Sequence, residues 1–175
     1  MTGSRRPLSV PDVGNALRAQ FGQDLADVAD RDGHAVVTIS AARYRELIAT
    51  LRDDPEFDCD YFDFLTAVDY PDAGEFELVV HLYSNARNHH VRVKVRVPRE
   101  EPVAPSIHDI YPGANWFERE AWELFGIVFE GHPHLVKLVL PEPFEGFPLR
   151  KDFELMSRVA KPWPGAAEGE EGEEE

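Results

Sequence analysis

The densest run of ionisable side chains is Glu118-Arg119-Glu120-Ala121-Trp122-Glu123. On a helix, carboxylates three positions apart share a face, so Glu120 and Glu123 are spaced to hold a metal or to act as acid and base. The same residues have a plainer use. Arg119 and Glu123 are placed for an i,i+4 ion pair, and Glu118 stands three after Asn115, the reciprocal position of a capping box. A helical carboxylate metal site asks for Glu-x-x-His, and no histidine occupies the next turn. The run reads as structural or interfacial.

His132-Pro133-His134 offers two imidazoles where a zinc site needs three or four ligands, and a proline-stiffened backbone turns the two apart. His89-His90 falls near a turn and reads as solvated; His34 and His108 stand alone. Cys59, the one cysteine, lies between Asp58 and Asp60, which disfavour a thiolate. A single thiol makes no internal disulfide, iron–sulfur ligand set or cysteine zinc site. The chain has no Gly-x-Ser-x-Gly elbow, Gly-x-Gly-x-x-Gly turn or Gly-Lys-Ser/Thr phosphate loop. The expectation is no catalytic residue, metal ligand set or cofactor site in this chain.

These residues need a scaffold, and the patterning supplies one. Val13, Leu17 and Phe21 recur at helical spacing, predicting a helix over 12–21. Asp32-Gly33 is a two-residue turn signal between strands at 25–30 and 35–40. Ser40 can cap a helix over 41–51 that buries Tyr44, Leu47, Ile48 and Leu51. An aromatic run from Phe57 leads into a further strand. Phe76, Leu78, Val80 and Leu82, then Val91, Val93, Val95 and Val97, alternate strictly with polar or outward residues. Period two in both runs means a hairpin with one buried face. Setting Glu77 opposite Arg96 and His81 opposite Arg92 buries Val91, Val93, Val95 and Val97 and matches opposite charges where it can. Pro98 to Pro105 should end the sheet. A helix capped by Asn115 should run to Phe125, with Gly126 just past its end, and residues 135–140 could add a short strand.

Length, charge and hydropathy narrow the class. At 175 residues the chain fits one domain. Acidic side chains number 33 against 18 basic, a net charge of -15. Six glutamates crowd the last eight residues, and what precedes them is still acidic. Such a chain lacks the basic footprint of a nucleic-acid binder and the cationic surface that anionic lipids attract. No apolar run nears the ~18 residues of a membrane span. Arg5 and Arg6 are followed by no apolar core, so no signal or transit segment is expected. The layout reads as an arm over 1–10, one domain over 11–140, a partner-binding arm over 141–160 and an acidic tail over 161–175. The arm contains Pro-Glu-Pro-Phe-Glu-Gly-Phe-Pro-Leu-Arg-Lys-Asp-Phe, residues 141–153. Prolines preset its dihedrals, which lowers the cost of binding in extended form.

Two motifs carry a resemblance. Glu118-Arg119-Glu120-x-Trp122-Glu123-Leu124-Phe125-Gly126-Ile127-x-Phe129-x-Gly131-His132-Pro133, and then Glu145-Gly146-x-Pro148-Leu149-Arg150-Lys151-Asp152, closely resemble the signatures of the C subunit of proton-pumping NADH–quinone oxidoreductase, respiratory complex I. The likeness is dense from about Ser106 to Phe153 and thinner from about Phe62. Phe147 departs from it, since the family usually has histidine there.

The resemblance implies an α+β fold, a two-layer α/β sandwich with a mixed sheet followed by an extended proline-rich arm. It implies a peripheral-arm subunit that docks on the D subunit of that complex near the quinone site, on the cytoplasmic side of a bacterial membrane, held by partner subunits. FMN and iron–sulfur clusters would reside in other subunits, and electron transfer from NADH to quinone would drive proton translocation by the whole complex. The interface residues it points to are Glu118, Arg119, Glu120, His132, Phe144, Glu145, Phe147, Arg150, Lys151 and Asp152. Two other readings stay open: the equivalent subunit of a related membrane-bound hydrogenase or other-donor dehydrogenase, and a free-standing hydrolase using Glu120 and Glu123.

Overall fold

The structure, a computed structural model, describes residues 6–154; the acidic tail and the end of the expected arm lie outside the described residues. Helix α1 (Val10–Phe21) starts inside the expected N-terminal arm. Ser9 caps it in a reciprocal box with Asp12, and Pro11 suits its first turn. Strands β1 (Leu25–Arg31) and β2 (His34–Ile39) follow, turning at Asp32 and Gly33, both at positive φ as this hairpin turn requires. Helix α2 (Ala41–Asp53) buries Tyr44, Leu47, Ile48 and Leu51 as its spacing predicts. Strands β3 (Tyr61–Tyr70), β4 (Glu75–Ser84) and β5 (His89–Pro98) form an antiparallel meander. After a short β6 (Val103–Pro105) come helix α3 (Ala114–Phe125) and β7 (Val128–Glu130).

The main sheet has the order β1-β2-β5-β4-β3. Its β2–β5 ladder is parallel and the others antiparallel, so the sheet is mixed. The expected hairpin register holds: Glu77 faces Arg96 and His81 faces Arg92. Val91, Val93, Val95 and Val97 of β5 and Phe76, Leu78, Val80 and Leu82 of β4 are all fully buried. They meet one face of each helix, with Phe125 of α3 edge-on to Phe76. The result is a two-layer α+β sandwich. On the opposite, open face, Glu77 takes both Lys94 and Arg96 at 2.8 Å.

The proline-rich stretch ends the main sheet at Pro98, as expected, and Val103–Pro105 then runs parallel to Val128–Glu130 in a second small sheet. Two expectations need correction. Residues 135–140 are not a strand; residues 131–154 form a strap without helix or strand, held by side chains of α3 as well as by scattered backbone bonds. Nor are His89 and His90 a solvated turn. Both belong to β5, and the turn is 85–88. Among the described residues no helix is long and apolar enough to cross a membrane.

Candidate functional site

Helix α3 and the strap that crosses it contain the ten candidate interface residues; His34, Cys59, His89, His90 and His108 lie outside this unit. Gly113, not Asn115, is the N-cap, and Glu118 takes no part in capping. Its carboxylate is fully buried, accepting from the Ser106 hydroxyl at 2.5 Å and the Ile107 N–H at 2.6 Å. Burial pushes Glu118 up to about 7, against the pull of those two donors. His132 lies alongside, its Nε2 donating to the Asn115 carbonyl (3.3 Å) and its Nδ1 accepting from the His134 N–H (3.0 Å). That ring is also buried, 4.0 Å from Glu118.

Arg119 and Glu123 do not pair with one another. They grip the strap from beneath. Arg119 donates to the carbonyls of Val136 (3.0 Å) and Lys137 (3.3 Å), while Glu123 accepts the N–H groups of Leu138 (2.7 Å), Val139 (3.1 Å) and Leu140 (2.7 Å). One helical turn thus satisfies both kinds of backbone group in a segment that has no strand to pair with. Burial opposes ionisation of Glu123, yet the three N–H groups hold its carboxyl below the usual range. Glu120 remains exposed. With both oxygens of Glu123 taken, Glu120 has no free carboxylate partner, and the acid–base pair of the hydrolase reading is not assembled.

Farther along, the strap completes the end of α3. The Leu149 N–H reaches the Leu124 carbonyl (3.1 Å) and the Arg150 Nε reaches the Phe125 carbonyl (2.6 Å), covering acceptors a helix C-terminus leaves open. The Arg150 guanidinium lies over Phe76 and Phe147. The Lys151 N–H donates to buried Asp69, which also holds Arg99, and Arg99 in turn binds Asp152 at 2.6 Å. Phe144 stacks on Phe153. Glu145, Phe147, Lys151 and Asp152 are exposed, and Phe144 and Arg150 half-buried. Sequence reasoning missed Ser106, Asp69 and Arg99, whose partners are remote in sequence.

Gly126 is where helix and strap meet. Its φ is +80, and an added Cβ would lie 2.6 Å from Arg150 Nη2 and 2.7 Å from Phe147 Cζ. Gly126→Ala is expected to cost about 1 kcal/mol for the left-handed backbone alone and to unseat Phe147 and Arg150 as well. Urea melts and limited proteolysis within 141–153 check this; an unchanged cleavage pattern would show that the strap does not depend on this seat.

The outer surface of the unit is apolar. Trp116, Val136, Val139, Phe147 and Leu149 are all exposed here, Trp116 by 64% and Val139 by 66%. A groove of about 310 Å³ runs between Trp116, Phe117, Glu120, Leu138 and Val139. A second, of about 230 Å³, is lined by Trp122, Lys137, Leu140, Phe144 and Phe147, among others. Elsewhere, Cys59 sits 3.7 Å from His89, a pairing the sequence hid. Burial, then Asp60 and Asp58, pushes the thiol up to about 12, and burial first of all drives His89 down to about 4, so the pair is neutral and enclosed.

Two solved structures share this fold. A chain of the membrane-bound sulfane sulfur reductase, an archaeal respiratory membrane complex, aligns with a TM-score of 0.67 at 26% identity, over 85% of this chain and 88% of that one. A trypsin-resistant fragment (1-134) of Nqo5 aligns with a TM-score of 0.60 at 28% identity, over 70% and 98%. The fold therefore defines a class of small α+β chains, one counterpart of which comes from a respiratory membrane complex. The chain belongs to the family described as respiratory-chain NADH dehydrogenase, 30 Kd subunit, which it matches over residues 37–159. That match contains both motifs that carried the resemblance. The NADH-quinone oxidoreductase C subunit of Rhodopseudomonas palustris (strain TIE-1) is 48% identical over 128 residues, 73% of this chain. The chain spans 62% of that protein's length. The corresponding C subunit of Roseiflexus castenholzii is 40% identical over 149 residues, covering 85% of this chain and 86% of its own.

Proposed function

We propose that this chain is a non-catalytic peripheral subunit of an NADH–quinone oxidoreductase, docking through α3 and the strap onto the D subunit near the quinone site. The observation that carries this reading is the apolar groove between Trp116 and Val139, raised on the residues of the family signature. Exposed tryptophan and flanking arginine are the side chains that dominate interface energies. The chain's own charged groups turn inward to hold that surface in shape: Glu118 and His132 set the start of α3, and Arg119 and Glu123 fix the strap. Flavin, iron–sulfur clusters and quinone belong to partner subunits in this reading. Those partners hold the chain at the cytoplasmic side of the membrane, and proton translocation is carried out by the complex as a whole.

The test is co-purification with the D subunit in mild detergent. Trp116→Asp combined with Val139→Asp should weaken association at least about 30-fold, the loss of one hot spot, while leaving circular dichroism and melting unchanged. Tyr61→Asp, at an exposed apolar position on β3, serves as the control and should bind normally. Full recovery of the double variant with the D subunit would discard this surface as the docking site. A second reading is favoured by the likeness to the sulfane sulfur reductase chain: the equivalent subunit of a related complex with another electron donor. The donor-binding subunits that co-purify decide between the two.

A further inference from the structure

The open face of the sheet carries a cluster that the α3–strap site does not use. The parallel β2–β5 register sets Ala35 beside Val91, which brings His34 to His90 across the ladder. The antiparallel β4–β5 register sets Tyr83 opposite His90 and His81 opposite Arg92, so His81 stands one diagonal step away on the same face. The three rings converge, with centroids 4.5 Å apart for His34 and His90, 5.2 Å for His81 and His90, and 5.6 Å for His34 and His81.

We propose that His34, His81 and His90 bind one late first-row divalent transition ion through three imidazole nitrogens. One ligand atom from each residue lies within 4.8 Å of the others. His81 Nε2 and His90 Nδ1 are buried and have no hydrogen-bond partner, a costly state that coordination would relieve. Asp63 Oδ2 is 2.9 Å from His81 Nδ1 and keeps the proton there, leaving the Nε2 lone pair free. A carboxylate behind a ligating histidine is the usual way such a ring is oriented and made more basic. Burial, foremost, lowers the proton affinity of both His81 and His90, so they are neutral ligands near pH 7.

An all-imidazole donor set selects zinc, copper or nickel over magnesium or calcium. An ion lies in the plane of each ring that binds it, and these planes are within 20° of parallel. Coordination therefore requires the half-exposed His34 and His90 to turn about χ2, while His81 stays on Asp63. Arg92 is the nearby like charge and weighs against the ion; Asp63 offsets it. Sequence reasoning saw a lone histidine, a strand position and a turn, because the ligands come from three strands.

The test uses the full chain without a histidine tag, stripped with chelator and titrated with Zn²⁺ against a chromophoric chelator. One equivalent should bind at micromolar or tighter affinity. His34→Gln and His90→Gln, both at half-exposed positions that the fold tolerates, should each weaken binding by about 100-fold, and Asp63→Asn by about 10-fold or more. His134→Gln removes the exposed imidazole of the His132-Pro133-His134 segment and should leave binding unchanged. No stoichiometric Zn²⁺ at micromolar concentration, unaltered affinity in His34→Gln, or loss of binding in His134→Gln would each overturn the site.

Discussion

Val93→Asp is expected to cost more than about 4 kcal/mol and to abolish the cooperative melt. Val93 has no exposed surface; it lies between Val37 of β2 and Val80 of β4 in the middle of the sheet. Aspartate there would be an unpaired charge with neither water nor a donor in reach. A domain of this size has roughly 5–15 kcal/mol to lose. Arg92→Gln, one residue away on the open face, should cost less than about 1 kcal/mol. Urea and thermal melts compare the two. Similar losses from both would mean that the alternation does not face the core as described.

The second large effect centres on Glu118. Glu118→Ala leaves the Ser106 hydroxyl and the Ile107 N–H buried without an acceptor and opens a cavity, a loss of about 3 kcal/mol or more. Glu118→Gln should be far milder, since its amide copies the protonated acid: the oxygen accepts from Ile107 and the NH2 donates to Ser106. The pH dependence follows from the raised proton affinity. Glu118 moves from an ordinary value of 4.5 up to about 7 on folding, so between those values the folded chain holds a proton that the unfolded chain has released. Its contribution is complete below pH 4.5 and is lost as pH rises through 7, on the order of 3 kcal/mol. Buried His81 and His89 and half-exposed His90, with lowered proton affinities, pull the other way as pH falls below 6.5. The Glu118 share is therefore read as wild type minus Glu118→Gln, in urea melts at pH 5 and pH 8. An equal pH slope in the two proteins would show that Glu118 is ionised throughout.

The parts of the fold legible in the sequence are those whose reasons are local. Strict alternation in 76–82 and 91–97 specifies which face of β4 and β5 is buried, and the observed ladder, with Glu77 opposite Arg96, is one of the registers that keep that face inward. The spacing of Tyr44, Leu47, Ile48 and Leu51 does the same for α2. Strands β6 and β7 span three residues each, too few for a period to register. Glu118 deceives because Asn115-x-x-Glu118 fits a capping box; only the folded chain reveals that Ser106 claims the carboxylate first. Arg119 and Glu123 deceive similarly. Their i,i+4 spacing is right for each other, but a strap short of hydrogen-bond partners offers both a stronger bond. The motif residues of α3 and the strap lie together in the fold, and tertiary competition decides which groups each of them bonds.

The parallel ladder between β2 and β5 has a consequence for the order in which the chain organises. The β1–β2 hairpin closes over a two-residue turn, and the β3–β4–β5 meander also pairs strands that follow one another. Their junction is different: Val37 and Val93 are separated by all of α2, β3 and β4. Joining them bears the entropic cost of closing that long loop before any ladder bond rewards it. The hairpin is made first on the ribosome and must then wait, with the edge of β2 unpaired, until β5 has emerged and folded against β4. Until then the open edge of β2 presents unpaired backbone groups that another chain could pair with.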